Sequence, residues 1–500
     1  MKRILTTLVV ALSMAVLPHV QATNVSVEQA KDAAAHYLQQ RTALTRITAA
    51  DLTLARQWNN SDLNVPSMYL FKTVKEGWII ITATTVANPI VAYSEDEVID
   101  ADNLIPPVEW WLGVYNEMVC LAQNEDAQKP LPDSPEWAAL ITHSMPQASK
   151  ASQYLLSTKW DQGGIRGLDF NMYCPVVRDT VCPVGCVATA LAQICKYYSY
   201  PAQPTGYKTY YWYSYSNGTG HNILMQLRYS DSAAIDYSIM PNSIQVNANG
   251  SSVITVERRK EVSRLGYYLG VAVEMQYGPD GSGTTTDIVT NNMRRFFKYT
   301  QGDYLYRRTI NDTAFLNGVR REIKMNRPVY MSGASSTGSG RDAAGHAWVC
   351  DGVKDDEPNM YHMNWGWGGS GNTWYDLGGN QLAAGGYNFN AMRNGSYQTA
   401  IVGMVPPPDS TDRDIYVGIP QAEEDVVLGN AYPNPATINV TLPYRSNNAA
   451  ELHVFNVSGQ LIASCPVVAG EGEVVMNVSQ LPAGLYIYRI GNTHGKFVVR

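Results

Sequence analysis

Between Pro183 and Pro201 the chain carries a segment that reads as a helix. Val187, Ala190, Leu191, Ile194 and Tyr198 recur at helical spacing, and the prolines bracket the run. The segment opens with Gly185-Cys186, so the cysteine falls in the first turn. There the free N–H groups and the helix dipole favour negative charge and lower a thiol's pKa. The thiolate is the nucleophile in cysteine chemistry. A fold that uses Cys186 must bury the apolar stripe of this helix and leave its N-terminus open. Taken alone, the position also suits a buried structural cysteine or half of a disulfide.

A thiolate needs a base, and the region around Cys186 offers His221, His346 and His362. His221 sits in a polar Gly/Asn stretch, and His362 reads as a core residue in mid-strand. His346 follows the glycine-rich run 332–345 and leads an apolar strand, which aims it at a cleft. It is the expected base. Asn364, 18 residues on in Asn364-Trp365-Gly366-Trp367-Gly368-Gly369, is the expected partner of the imidazole, with Trp365 shielding that bond from water. Gln162 lies 24 residues before Cys186, and its amide is the expected oxyanion donor beside the Cys186 N–H.

Composition bounds the rest. The 500 residues, 45% apolar, are enough for about three packed domains. Charged residues are only 16%, while Tyr (32) and Gly (40) are abundant, which favours β-rich structure. The formal net charge is −7 and no basic run occurs, so neither nucleic acid nor an anionic membrane is an expected partner. Past the N-terminus no apolar stretch reaches the ~18 residues of a membrane span. Residues 1–22 have a charged start (Lys2, Arg3), an apolar run (Ile4 to Leu17) and small residues before a cut after Ala22, as in a secretory signal.

Residues 23–150 read as an α+β module, with a helix from Val27 to Arg41 capped by Ser26, short strands, and a helix from Pro107 to Ala122. The polar, proline-bearing stretch from Gln123 to Lys150 reads as an exposed connection. Residues 151–405 form the chemical block, 406–425 a linker, and 426–500 a small β-sandwich of short strands with Gly/Pro turns.

The order Gln, Gly-Cys on a helix, Gly-His, Asn-Trp-Gly resembles that of papain-like cysteine peptidases. The strings Gly185-Cys-Val-Ala-Thr-Ala-Leu-Ala-Gln193, Tyr277-Gly-Pro279, Gly345-His-Ala347 and His362-Met-Asn-Trp-Gly-Trp-Gly-Gly369 closely resemble the streptopain family of secreted bacterial cysteine peptidases. That resemblance covers about 151–405 and implies an α+β fold, with a helical half carrying Cys186 and an antiparallel β half carrying His346. It implies that Cys186 and His346 are catalytic with Gln162, leaves Asn364 less secure, and puts Ser282 and Gly345 against a peptide substrate, joined by Trp365. It further implies an inhibitory propeptide over 23–150, self-processing near Gln147–Gln153, and a preference for a hydrophobic residue two positions before the cut. The tail, with Leu428-Gly-Asn-Ala-Tyr-Pro-Asn-Pro435 and Gly484-Leu-Tyr-Ile-Tyr488, resembles the sorting domain of type IX secretion substrates. It implies outer-membrane secretion machinery as a partner and a secreted or surface location.

Other acyl-transfer chemistry, transglutaminase- or amidase-like, shares the same residues, and a catalytically silent binding protein is the remaining alternative. Seven cysteines leave at least one unpaired within the chain. A Cys174–Cys182 bridge is expected to brace the loop before Cys186, and a Cys182–Cys186 bridge is its rival. The spacing of Cys174, Cys182 and Cys186 suits zinc poorly. No metal or other cofactor is expected.

Overall fold

The computed structural model describes residues 24–74, 77–146, 154–163, 170–216, 219–243, 253–307, 309–310, 312–334, 345–378, 397–407, 426–428, 431–446, 448–457, 460–491 and 493–500. The expected signal (1–22), the expected processing stretch (147–153) and residues 408–425 of the expected linker therefore lie outside the described residues. The chain divides into two compact units, 1–407 and 408–500.

The first unit opens with helix α1 (Val27–Arg41). Its start is a capping box: the Ser26 hydroxyl accepts from the Gln29 N–H at 3.3 Å, and the Ser26 N–H donates to Gln29 Oε1 at 3.0 Å. Strands β1 (Leu52–Asn60), β2 (Val65–Thr73), β3 (Trp78–Thr82) and β4 (Ile90–Ser94) follow, then helices α2 (Pro106–Gln128) and α3 (Pro135–Ile141). The expected exposed connection after residue 122 is thus partly helical. Trp137 and Leu140 of α3 are fully buried, and Trp137 Nε1 donates to Thr82 Oγ1 at 3.2 Å.

The remainder of this unit contains β5 (Val176–Val177), β6 (Thr180–Val181), α4 (Cys186–Tyr198), β7 (Tyr207–Ser216), β8 (Thr219–Arg228), α5 (Val256–Ala272) and α6 (Val289–Phe297). After these come β9 (Asp303–Tyr306), α7 (Asp312–Lys324), β10 (Val329–Ala334), β11 (Gly345–Val353), β12 (Met360–Asn364), β13 (Thr373–Asp376) and β14 (Tyr397–Val402). Ten strands form one sheet in the order β1-β2-β3-β4-β13-β12-β11-β10-β14-β9. The N-terminal strands join at β4, where Tyr93 pairs with Trp374 and Ala92 with Tyr375.

Alternation along the strands sends neighbouring residues to opposite faces. Tyr330, Ala347 and Val349 pack with Val187, Leu191 and Ile194 of α4 and with residues of α5 and α6. Met331, Trp348 and Cys350 pack on the other side with α7 and with Trp111, Tyr115 and Met118 of α2. The N-terminal region therefore supplies part of the core around the expected base. It is also tied through buried Glu357, which accepts from Tyr37 and Tyr93 hydroxyls at 2.9 and 3.2 Å and pairs with Arg41 at 3.3 Å.

The second unit is all β: β15 (Val426–Leu428), β16 (Asn439–Ser446), β17 (Ala450–Asn456), β18 (Leu461–Val467), β19 (Gly470–Asn477), β20 (Gly484–Ile490) and β21 (Thr493–Val499). A three-stranded sheet, β15-β16-β19, and a four-stranded one, β18-β17-β20-β21, share a core of Val440, Leu442, Leu452, Val454, Tyr486 and Phe497. Tyr486 and Tyr488 are buried there.

Candidate active site

Cys186 is the first residue of α4. Gly185 before it has φ +90°, and a Cβ there would stand 2.7 Å from both Met275 Sδ and the Ser282 carbonyl oxygen. Only glycine lets the 275–283 loop close on the helix start, which brings Ser282 beside Cys186. The thiol is half-buried. Burial raises its pKa, opposed by backbone N–H groups of Ala347, Val187 and Cys186 itself. The lowered pKa expected from the helix N-terminus is therefore not what this arrangement yields, because desolvation outweighs the helix-end donors.

His346 is the second residue of β11. Its Nε2 lies 2.8 Å from the Trp365 carbonyl oxygen. A carbonyl can only accept, so Nε2 carries the proton and Nδ1 is left as the basic nitrogen. Trp348, Trp365 and Trp367 surround the ring, with centroids 6.2–6.4 Å away. Burial pushes the imidazole down to about 4, with the Trp365 carbonyl opposing. Thiol and imidazole are thus both neutral near pH 7 in this form of the chain.

Two cavities meet at this pair, and Cys186, Ser282, Gly345 and His346 line both. One, about 510 Å³, adds Gln162, Trp367 and, from the N-terminal region, Pro106, Pro107 and Trp110. The other, about 650 Å³, adds Thr284, Thr286, Ser332 and Thr399. Gln162 is held by its own carbonyl, which accepts from the Val184 N–H at 2.7 Å just before the helix.

Two expectations need correction. Asn364 does not orient His346. Its Oδ1 accepts from Gln193 Nε2 at 3.0 Å and the Gly366 N–H at 3.2 Å, and its Nδ2 donates to the Thr158 carbonyl at 2.7 Å. These bonds tie the side chain to α4, to Thr158 and to the Trp-Gly turn, and the neighbouring backbone carbonyl bonds the imidazole instead. Trp365 is fully buried against Trp348 and Tyr375, so its ring backs His346 and does not face substrate. Trp367 lines the cavity in its place.

Trp110, Trp367 and Gln193 were missed. The repeated Trp-Gly pairs and the last residue of the Gly185–Gln193 string were the available signals. His362 is the buried strand residue expected, with Nδ1 2.6 Å from Asp351. All seven cysteines are free thiols, so neither expected bridge is present; Cys174 and Cys182 are buried in the core beneath α4. Among the described residues no group of three or more His, Cys, Asp or Glu is arranged for a metal.

Residues 160–375 match the model of the peptidase C10 family. The matched segment holds Cys186, His346 and Asn364. Residues 22–119 match the Spi protease inhibitor model, and residues 430–500 match a secretion system C-terminal sorting domain. The thiol protease/hemagglutinin PrtT of Porphyromonas gingivalis is 28% identical over 436 residues, 85% of this chain and 45% of that protein. The chain thus spans less than half the length of that relative. Streptopain of Streptococcus pyogenes is 26% identical over 395 residues, 76% of this chain and 91% of that one. A solved fragment of prointerpain A from Prevotella intermedia has a TM-score of 0.53 and 24% identity, and covers 71% of this chain and 100% of the fragment. At that identity the likeness is one of fold: a papain-like α+β domain with an N-terminal prodomain. The sorting-domain match marks the chain as a secreted or cell-surface protein.

Proposed function

We propose that the chain is a secreted cysteine endopeptidase that matures by its own activity. Residues 1–22 would be the signal, 23–150 the propeptide, 151–405 the catalytic domain, 406–425 the linker and 426–500 the sorting domain. The observation that carries the reading is the pairing of Cys186 at a helix start with His346, whose Nδ1 is left basic by the Trp365 carbonyl, around two shared cavities.

His346 Nδ1 takes the Cys186 proton as sulfur attacks the scissile carbonyl carbon. The Gln162 amide and the Cys186 N–H stabilise the oxyanion. The imidazolium then protonates the leaving amine, and water deprotonated by His346 hydrolyses the thioester. Ser282 and Gly345, lining both cavities, would contact the substrate backbone, while Asn364 would act only on the frame behind His346.

Trp110 supports a propeptide that blocks the site. It stands over Gly333 on the strand beside His346, where a Cβ would meet the indole at 2.8 Å. Substrates would be proteins or peptides, and the sorting domain would engage outer-membrane secretion machinery.

The test compares the full-length chain with Cys186→Ala on casein under reducing conditions, following caseinolysis and propeptide loss together. Wild type should digest casein and shorten, and the variant should do neither. Shortening of both would assign maturation to another protease. No digestion by wild type after propeptide removal would end the endopeptidase reading.

A further inference from the structure

The larger cavity has a floor built from one row of the sheet. Ala347, Ser332, Thr399 and Tyr306 stand opposite one another across β11, β10, β14 and β9. Residues paired in this way project to the same face. The row starts at Ala347, whose N–H lies against the Cys186 thiol, and runs outward from the nucleophile.

The hydrogen-bonding capacity of this floor is incompletely used. Thr286 Oγ1 donates to Ser332 Oγ at 2.9 Å, which leaves the Ser332 proton without an acceptor among the described residues. The Thr399 hydroxyl likewise has no partner among them. Gln398, next to Thr399 and opposite Gly333, alternates with this row and adds nothing to the floor; its buried amide instead accepts from Arg307 Nη1 through Oε1 at 2.9 Å. Arg307 brings no free charge, since it is paired with Asp312.

We infer that this cavity selects an uncharged substrate side chain with a hydrogen-bonding end, of the Gln, Asn or Thr type, over an aliphatic or aromatic one. An apolar side chain would strip water from Ser332 and Thr399 and leave their protons unpaired. A site built to hydrogen-bond rejects the analogue that cannot, whereas an apolar pocket discriminates weakly. A carboxylate or ammonium would be buried without a counter-charge. The resemblance to streptopains implies a hydrophobic residue two positions before the cut; the hydroxyl floor departs from that expectation.

This inference rests on the endopeptidase reading. The test uses the full-length chain under reducing conditions on quenched peptides, randomised at one of the four positions before the cut at a time. At one position Gln, Asn or Thr should exceed Leu, Ile and Phe about tenfold in kcat/KM. Thr399→Val, nearly isosteric, and Ser332→Ala should each erase most of that preference and leave the other positions' preferences in place. An apolar preference at every position, or a polar preference that survives both substitutions, overturns the inference. Cleavage of no peptide at all overturns the endopeptidase reading, and this inference with it.

Discussion

The two cavities that meet at Cys186 differ in who builds them. The smaller is walled partly by Pro106, Pro107 and Trp110, which precede the processing stretch. The larger is lined by residues from 186 onward, so none of its lining would leave with the propeptide. The difference teaches how such a precursor can be held silent. Occupying one side of the nucleophile would suffice, and the side proposed to read the substrate would be complete before activation. Trp111, Tyr115 and Met118, on the same helix as Trp110, are built into the core behind the sheet, so that wall is anchored as deeply as the site.

Four measurements would sharpen or break this comparison. The largest effect is expected from Gln162→Ala, in the smaller cavity. Loss of one oxyanion donor should lower kcat about 10²–10³-fold with little change in KM. A change confined to KM would move Gln162 from catalysis to substrate binding.

Next is pH. His346 is held at about 4, below its ordinary 6.5, so between those values the unfolded chain binds a proton that the folded chain refuses. Stability of the Cys186→Ala precursor should therefore fall as pH drops from 6.5 towards 4, by up to about 3 kcal/mol, and this loss should level off below pH 4. Thermal unfolding of Cys186→Ala with and without His346→Gln isolates the slope; identical slopes would refute the assignment.

Trp110→Ala should weaken propeptide inhibition by about 30-fold, the effect of losing a partly buried aromatic anchor of about 2 kcal/mol. Inhibition of the processed enzyme by added propeptide reads it directly.

The smallest catalytic effect is expected from Asn364→Ala. It should cost about 1–3 kcal/mol of stability through the groups left unpaired, yet leave the pH profile of kcat/KM in place. A displaced profile would return Asn364 to the role of imidazole partner.

Much of this was readable along the chain. Helix α4 came out with its bounds because its apolar stripe, flanking prolines and leading glycine all act locally. So did α1, whose capping box lies within four residues. The stretch after residue 122 misled because its composition is polar and proline-bearing. What orders it is the burial of Trp137 and Leu140 on a sheet formed far away in sequence. Strand β16 (Asn439–Ser446) carries Pro443, which argues locally against a strand, and its pairing with β19 is what holds it in the sheet.

At the site the division follows the same line. Residue type and order were enough to choose Cys186 and His346, because acyl transfer demands a nucleophile and a base and the alternatives in sequence were few. Which atom orients the imidazole was decided only by the tertiary structure, since Asn364 and the Trp365 carbonyl are adjacent in sequence and compete for one place. The Gln193 and Thr158 contacts that claim the Asn364 side chain come from segments 171 and 206 residues away. The thiol's pKa was decided there too. A helix N-terminus lowers it wherever it stands, but desolvation depends on what the rest of the chain brings to cover it, and here the covering outweighs the backbone N–H donors.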